Sequence, residues 1–273
     1  MKPLRLVAFA LVASLLFHTG CLTPAFSPKA AALARIHEFY SEEFTALAPS
    51  GPTGDVTSAA QPAAGDAFAQ TLRAIHDYRL AHPNAQQELA HLDVLEGMIY
   101  LQSGRFGLAA AVQEKVSAAA PQLASGTGRV VRDRLFAENY RTLLLGWSEA
   151  RKENGRDWKT FRNAADALAA SLDNIPPEQR PAISADGGAL YLATTAAIFY
   201  VWAGQQMSMA PDPDDRDVAP QKTREWRAKA RDLIGKFLTP AETAADISQD
   251  IGSTPPQGRL RYIDWYHWLK KNP

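Results

Sequence analysis

Apolar residues recur every three to four positions along almost the whole chain, and glycine or proline interrupts this pattern at intervals. Such spacing places apolar side chains on one face of an α-helix, whereas a half-buried strand needs strict alternation. Alanine, a strong helix former, is abundant, and runs of β-branched residues are scarce. The sequence therefore predicts an all-α protein.

The interruptions divide the chain into helices and connections. We expect a first helix over residues 28–47 and a second that ends at Pro83. Glycine, proline and small polar residues between them predict a loop or flexible linker over 48–65. Antiparallel helical hairpins follow over about 86–120, 129–174 and 186–238. With 46% hydrophobic residues, residues 29–273 can fill the core of a single helical domain.

The first hairpin contains the stretch LEGMIYLQSGRFGLAAA, in which small and aromatic residues have defined spacings. Small Gly97 and Ala109 allow two antiparallel helices to approach closely, and Tyr100 packs between them. Gly104 makes the turn, and Phe106 lies at a further position of the same pattern. These spacings resemble those of the tetratricopeptide repeat (TPR), which implies stacked hairpins forming a right-handed solenoid with a groove for a partner.

Parts of this pattern return further along the chain. Gly146 and Gly155 follow the first pair of glycines by about fifty residues, and Tyr200 and Gly204 follow at a similar interval. A TPR unit has 34 residues, so the interval departs from that family. Antiparallel helix pairs without any repeat relationship are the alternative.

The N-terminus has the features of an export signal. Lys2 and Arg5 precede an apolar run over 6–17, which is shorter than the roughly 20 residues that span a membrane. The run ends at HTGC, where two small residues precede Cys21, the only cysteine of the chain.

HTGC resembles the lipobox of bacterial lipoproteins. The resemblance implies that residues 1–20 are removed, that Cys21 is lipidated, and that 21–28 tether the domain to a membrane. Because the next residue is not aspartate, it also implies the periplasmic face of the outer membrane. His18 stands where the lipobox usually has an aliphatic residue, so an ordinary secreted or uncleaved N-terminus is the alternative.

The remaining sequence contains few features typical of a nucleic-acid, metal or catalytic site. Lysine plus arginine and aspartate plus glutamate both number 29, so no basic surface is expected to bind nucleic acid. The histidines lack the spacing of a zinc helix, and the acidic loop over 210–220 lacks the glycine and distal glutamate of an EF-hand. No nucleophile motif occurs. We expect no metal, no cofactor and no enzymatic activity.

Aromatic residues are the candidates for partner binding, because tryptophan and tyrosine dominate interface hot spots. The candidates are Tyr140, Trp147, Trp202, Trp265 and Trp268. Each is equally suited to a core. The aromatic C-terminal segment predicts a helix that caps the stack, with a partner anchor or a membrane-surface contact as alternatives.

Together, these features predict a lipid-anchored adaptor or assembly factor that holds a periplasmic protein partner in a helical groove. The alternative is an accessory lipoprotein of a tripartite (TRAP-type) solute transporter, which would bind a small apolar ligand between its hairpins.

Overall fold

The structure is a computed structural model that describes residues 27–46, 68–123, 129–180, 188–244 and 262–273. Cys21, the predicted signal at 1–20 and the predicted linker at 48–65 lie outside the described residues. The described segments consist of helices and connections and contain no strand, which confirms the all-α prediction.

Eleven α-helices follow one another along the described residues. They are α1 (Pro28–Ala46), α2 (Ala69–Ala81), α3 (Gln86–Gln102), α4 (Phe106–Ala111), α5 (Gln113–Ala119), α6 (Arg129–Ala150), α7 (Trp158–Asp173), α8 (Gly188–Ser208), α9 (Pro213–Gly235), α10 (Pro240–Ala244) and α11 (Tyr262–Lys271). The predicted hairpins correspond to α3 with α4–α5, α6 with α7, and α8 with α9.

Local chemistry explains where several of these helices begin. The Asp157 carboxylate accepts hydrogen bonds from the backbone N–H groups of Lys159 and Thr160 and so caps α7. Asp212 caps α9 in the same way, and a proline occupies the first helical position. Gly104 and Gly155 adopt φ values of 68° and 65° in the turns inside the first two hairpins.

The first helices of the three hairpins run parallel to one another. His91 of α3 contacts Asp133 of α6, and Gly97 contacts Tyr140 further along both helices. Rings of α6 and α8 meet in the same order, first Phe136 with Tyr191 and then Trp147 with Trp202.

The second helices of the last two hairpins are also parallel. Asp166 of α7 pairs with Lys229 of α9, and Asp173 of α7 pairs with Lys236, which directly follows α9. Within each hairpin the connection is short and the two helices pack against each other, so they run antiparallel. Each hairpin also packs against the next one along the chain.

Helices α1 and α2 form a further antiparallel pair that the sequence reading did not recognise as a hairpin. Lys29 pairs with Glu88, and the Tyr40 hydroxyl donates to Gln102 Oε1 at 2.9 Å. These contacts show that α1 runs parallel to α3. Ile36 of α1 is 1% exposed in a core shared with α2 and α3, so the early helices pack on the hairpins.

Among the residues that the structure describes, two apolar clusters form the core, and α3 contributes to both. One face of α3 packs with α1 and α2, and the opposite face packs with the later hairpins. Helix α8 is buried over nearly all of its residues by α6, α7, α9 and α11. Among the described helices, none combines the length and the apolar character that crossing a membrane requires.

Glycines lie where helices come closest. A Cβ at Gly97 would lie 2.7 Å from Val116 of its own hairpin, and one at Gly204 would lie 2.5 Å from Thr223. Gly146 instead faces the next hairpin, where a Cβ would lie 2.3 Å from the Phe199 ring. Close approach therefore occurs both within and between hairpins.

Candidate functional site

Four of the five aromatic candidates lie in the core. Tyr140, Trp202, Trp265 and Trp268 are each at most 5% exposed, and Trp147 is half-buried. Trp147 and Trp202 pack edge to face, with ring centroids 5.6 Å apart. In the described structure these rings therefore contribute mainly to packing.

Tyr140 of α6 is hydrogen-bonded to both helices of the first hairpin. Its hydroxyl donates to the carbonyl oxygens of Gly97 at 3.1 Å and of Ala109 at 3.2 Å, and burial raises the pKa of this hydroxyl. The ring thus joins both helices of the first hairpin to the second hairpin. The repeat spacing predicts Tyr100 between the two helices, whereas the buried ring at their contact is Tyr140.

The hydroxyls of Tyr100 and Tyr200 each donate a hydrogen bond to a carboxylate. Tyr200 is almost fully buried and donates to Asp166 Oδ1 at 2.6 Å, and burial together with that carboxylate raises its pKa. Tyr100 is half-buried and donates to Glu96 Oε1 at 3.0 Å. Burial and then the Glu96 charge raise the pKa of Tyr100 to about 12. Both hydroxyls therefore remain protonated donors at neutral pH.

The C-terminal helix α11 covers the end of the last hairpin. Trp265, Trp268 and Leu269 are buried there, and the Arg227 guanidinium lies 5.0 Å from the centroid of the Trp268 ring. His267 is also buried and donates through Nε2 to the Glu242 carbonyl oxygen at 3.0 Å. This burial supports the prediction that the segment is a capping helix.

A charged seam joins α2, α3 and α5. Arg79 donates to Asp93 at 2.7 Å and to Glu96 at 2.6 Å, and Lys115 pairs with both carboxylates at 2.9 and 3.5 Å. Burial raises the pKa of Glu96, but the hydrogen bond and charge of Arg79, together with the Lys115 charge and the Tyr100 hydroxyl, outweigh it and hold the pKa below its usual range. Two cations therefore balance two carboxylates, as in a structural network.

A second polar cluster links α3 to α6. His91 Nδ1 lies 2.8 Å from Asp133 Oδ2, and Arg132 donates to Asp133 Oδ1 through Nε at 2.9 Å and through Nη2 at 2.8 Å. The Asp133 side chain is only 6% exposed. A carboxylate held in this way orients the imidazole and bridges the first two hairpins. Among the described residues, no group of three or more His, Cys, Asp or Glu side chains could hold a metal ion.

Because α3 and α6 are parallel, their C-terminal ends lie at the same edge of the stack. We call this the turn edge, and it contains half-buried aromatic and arginine residues: Tyr100, Arg105, Phe106, Trp147 and Arg151. The Arg151 guanidinium lies 5.8 Å from the centroid of the Phe106 ring and so connects the two hairpins. The sequence pattern identifies these aromatic residues, but it does not predict the contact between Arg151 and Phe106.

Comparison with protein-family models, with curated proteins and with solved structures found no match to this chain.

Proposed function

We propose that the protein is a bacterial lipoprotein whose TPR-like right-handed solenoid acts as an adaptor or assembly factor for a periplasmic protein partner. Cys21 would carry the lipid that anchors it to the outer membrane. The partner would bind along the turn edge.

The helix directions support a solenoid. First helices run parallel to first helices, second helices of the last two hairpins run parallel to each other, and each hairpin packs on the next. Stacked helical hairpins of TPR type have this arrangement, and they present extended surfaces for binding. The handedness of the superhelix stays a prediction.

The residues of the turn edge support the proposal that the protein binds a protein partner. Tyrosine, tryptophan and arginine dominate interface hot spots because they combine a large apolar area with a polar end. Here such residues are half-buried along one edge and are held by the fold, so they would lose little side-chain entropy on binding. Arg105 and Arg151 at this edge would suit an acidic partner surface.

The N-terminal sequence supports the anchor. The only cysteine follows a short apolar run and precedes a tether that leads to α1, which begins at Pro28. About seven residues of tether would keep the domain within roughly 25 Å of a membrane surface.

Crosslinking in the native envelope, followed by mass spectrometry, tests both parts of the proposal. The wild type should crosslink to defined protein partners, and Cys21→Ser should lose them because the protein leaves the membrane. Arg105→Glu together with Arg151→Glu should also reduce crosslinking without changing the helical circular dichroism. Arg141→Glu, an exposed change on α6, is the matched control.

Equal crosslinking in the wild type and in the double arginine variant would contradict the turn edge as the binding surface. Absence of any defined partner in the wild type would contradict the adaptor function itself.

A further inference from the structure

The two ends of the helical stack differ in how their outer apolar faces are covered. At the C-terminal end, α11 lies against both α8 and α9, and a Cβ at Gly235 of α9 would lie 3.2 Å from the Tyr266 ring. The buried rings of α11 close this end. Helical stacks need such terminal caps because each hairpin has two apolar faces and the last one would otherwise stay exposed.

At the N-terminal end, the outer face of α1 and α2 carries an apolar cleft. It lies on the side opposite to α3 and has a volume of about 360 Å³. Its buried floor includes Ile36 and Tyr78, and its walls include half-buried Phe39 together with small alanines. Within the described residues, no helix covers this face as α11 covers the other end.

Opposite charges lie on the two rims of this cleft. Arg35 belongs to α1 and Asp77 to α2, and both side chains are exposed. The Arg35 guanidinium lies 5.0 Å from the centroid of the Phe39 ring. Within the part of the chain that the structure describes, neither Arg35 nor Asp77 has an ion-pair partner.

We propose that this face binds a second copy of the same chain in a two-fold symmetric dimer. A two-fold axis along the cleft places α1 of one copy over α2 of the other, in antiparallel orientation. Arg35 then faces Asp77 of the other copy, and symmetry repeats that pair. The apolar walls of the two clefts then face each other between these two pairs, so the face is complementary to itself in charge.

The face is small for a dimer interface. Helices of 13 and 19 residues are roughly 20 and 28 Å long. Side by side they offer on the order of 500 Å² per copy, less than the roughly 800 Å² of a standard interface. We therefore expect a reversible dimer with a dissociation constant in the micromolar range. This inference does not depend on the proposed adaptor function.

Charge reversal tests the pairing. In sedimentation equilibrium of the full chain carrying Cys21→Ser, in a mild detergent, we expect a concentration-dependent monomer–dimer equilibrium. Arg35→Glu and Asp77→Arg should each weaken the dimer by about tenfold or more. The combined variant should restore dimerisation, because both pairs form again with reversed sign. Arg141→Glu should leave the equilibrium unchanged.

A cysteine-free background allows a direct check of the geometry. Cys21 is the only cysteine, so Cys21→Ser variants that also carry Arg35→Cys or Asp77→Cys have one thiol each. A short bismaleimide should link the two variants to each other in a mixture, and each variant alone should crosslink poorly.

Three results would overturn the proposal. The first is a protein that stays monomeric at about 200 µM, well above a micromolar dissociation constant. The second is a dimer that survives both single charge reversals, which would use another surface. The third is a combined variant that stays as weak as the single variants, which would contradict the two-fold geometry.

Discussion

Adding one methyl group at Gly146 should destabilise the protein, although alanine forms helices better than glycine does. Gly146 lies inside α6 and faces α8 at the junction of two hairpins. A Cβ at this position would lie 2.3 Å from two carbons of the Phe199 ring, whereas apolar carbons pack at about 3.5–4.0 Å. The ring is fully buried and packs against Trp147, Phe161 and Trp202, so it has little room to move.

Two effects of opposite sign determine the size of the change. Replacing glycine with alanine inside a helix stabilises it by about 0.8–1.0 kcal/mol. Forcing extra volume into a packed core costs about 1–3 kcal/mol and occasionally more. An overlap of more than 1 Å with a confined ring belongs at the upper end of that range. We therefore expect Gly146→Ala to lower the free energy of unfolding by about 2 kcal/mol.

Urea unfolding followed by circular dichroism and tryptophan fluorescence measures this difference. Gly107→Ala is the matched control, because a Cβ at Gly107 has no atom within 4 Å; it should leave stability unchanged or raise it by up to about 1 kcal/mol. Phe199→Leu should lower the free energy of unfolding less in the Gly146→Ala background than in the wild type, because the smaller side chain relieves the overlap. A Gly146→Ala protein as stable as Gly107→Ala would refute the close packing of α6 on α8.

Two further substitutions test individual hydrogen bonds. Tyr140→Phe should lower the free energy of unfolding by about 1 kcal/mol, because it removes the hydroxyl that bonds the carbonyl oxygens of Gly97 and Ala109; an unchanged urea midpoint would contradict this bridge. Asp157→Ala should lower the free energy of unfolding by about 1 kcal/mol at pH 7, because it removes the cap of α7. Burial raises the pKa of Asp157, but hydrogen bonds from Thr160 and the backbone outweigh it and hold the pKa below 3.8. The cap therefore stabilises the fold above pH 3.8 and is lost as the pH falls through the lowered pKa. The difference in free energy of unfolding between wild type and variant, measured in urea, should shrink at low pH. A difference that grows would contradict the lowered pKa of Asp157.

The helices and hairpin boundaries could be predicted because they depend on local chemistry. Apolar spacing and glycine turns such as that at Gly104 lie within a few residues of the structure that they determine. The pairing of α1 with α2 was missed because the glycine- and proline-rich segment between them obscured their relationship. Their association depends on contacts such as that of Glu43 with Thr71, which no local pattern encodes.

The candidate surface was predicted less well, because sequence alone does not say which side of a helix faces a neighbour. Trp147 and Trp202 have similar surroundings in the sequence, yet one is half-buried and the other is in the core. The bond between His91 and Asp133 joins residues more than forty positions apart, and neither residue lies in a recognisable motif. Such contacts depend on the register between helices, which is set by packing.

The burial of α8 has a consequence for the order in which a growing chain can mature. Contacts between neighbouring hairpins are local, so α1 to α5 can pack while later segments are still being synthesised. Helix α8 is different, because its apolar surface is covered partly by α9 and α11, which follow it. Until α11 has been synthesised, part of this apolar surface stays uncovered and can aggregate. The tryptophans of α11 therefore complete the burial of α8, and a chain truncated before Tyr262 would leave α8 partly uncovered.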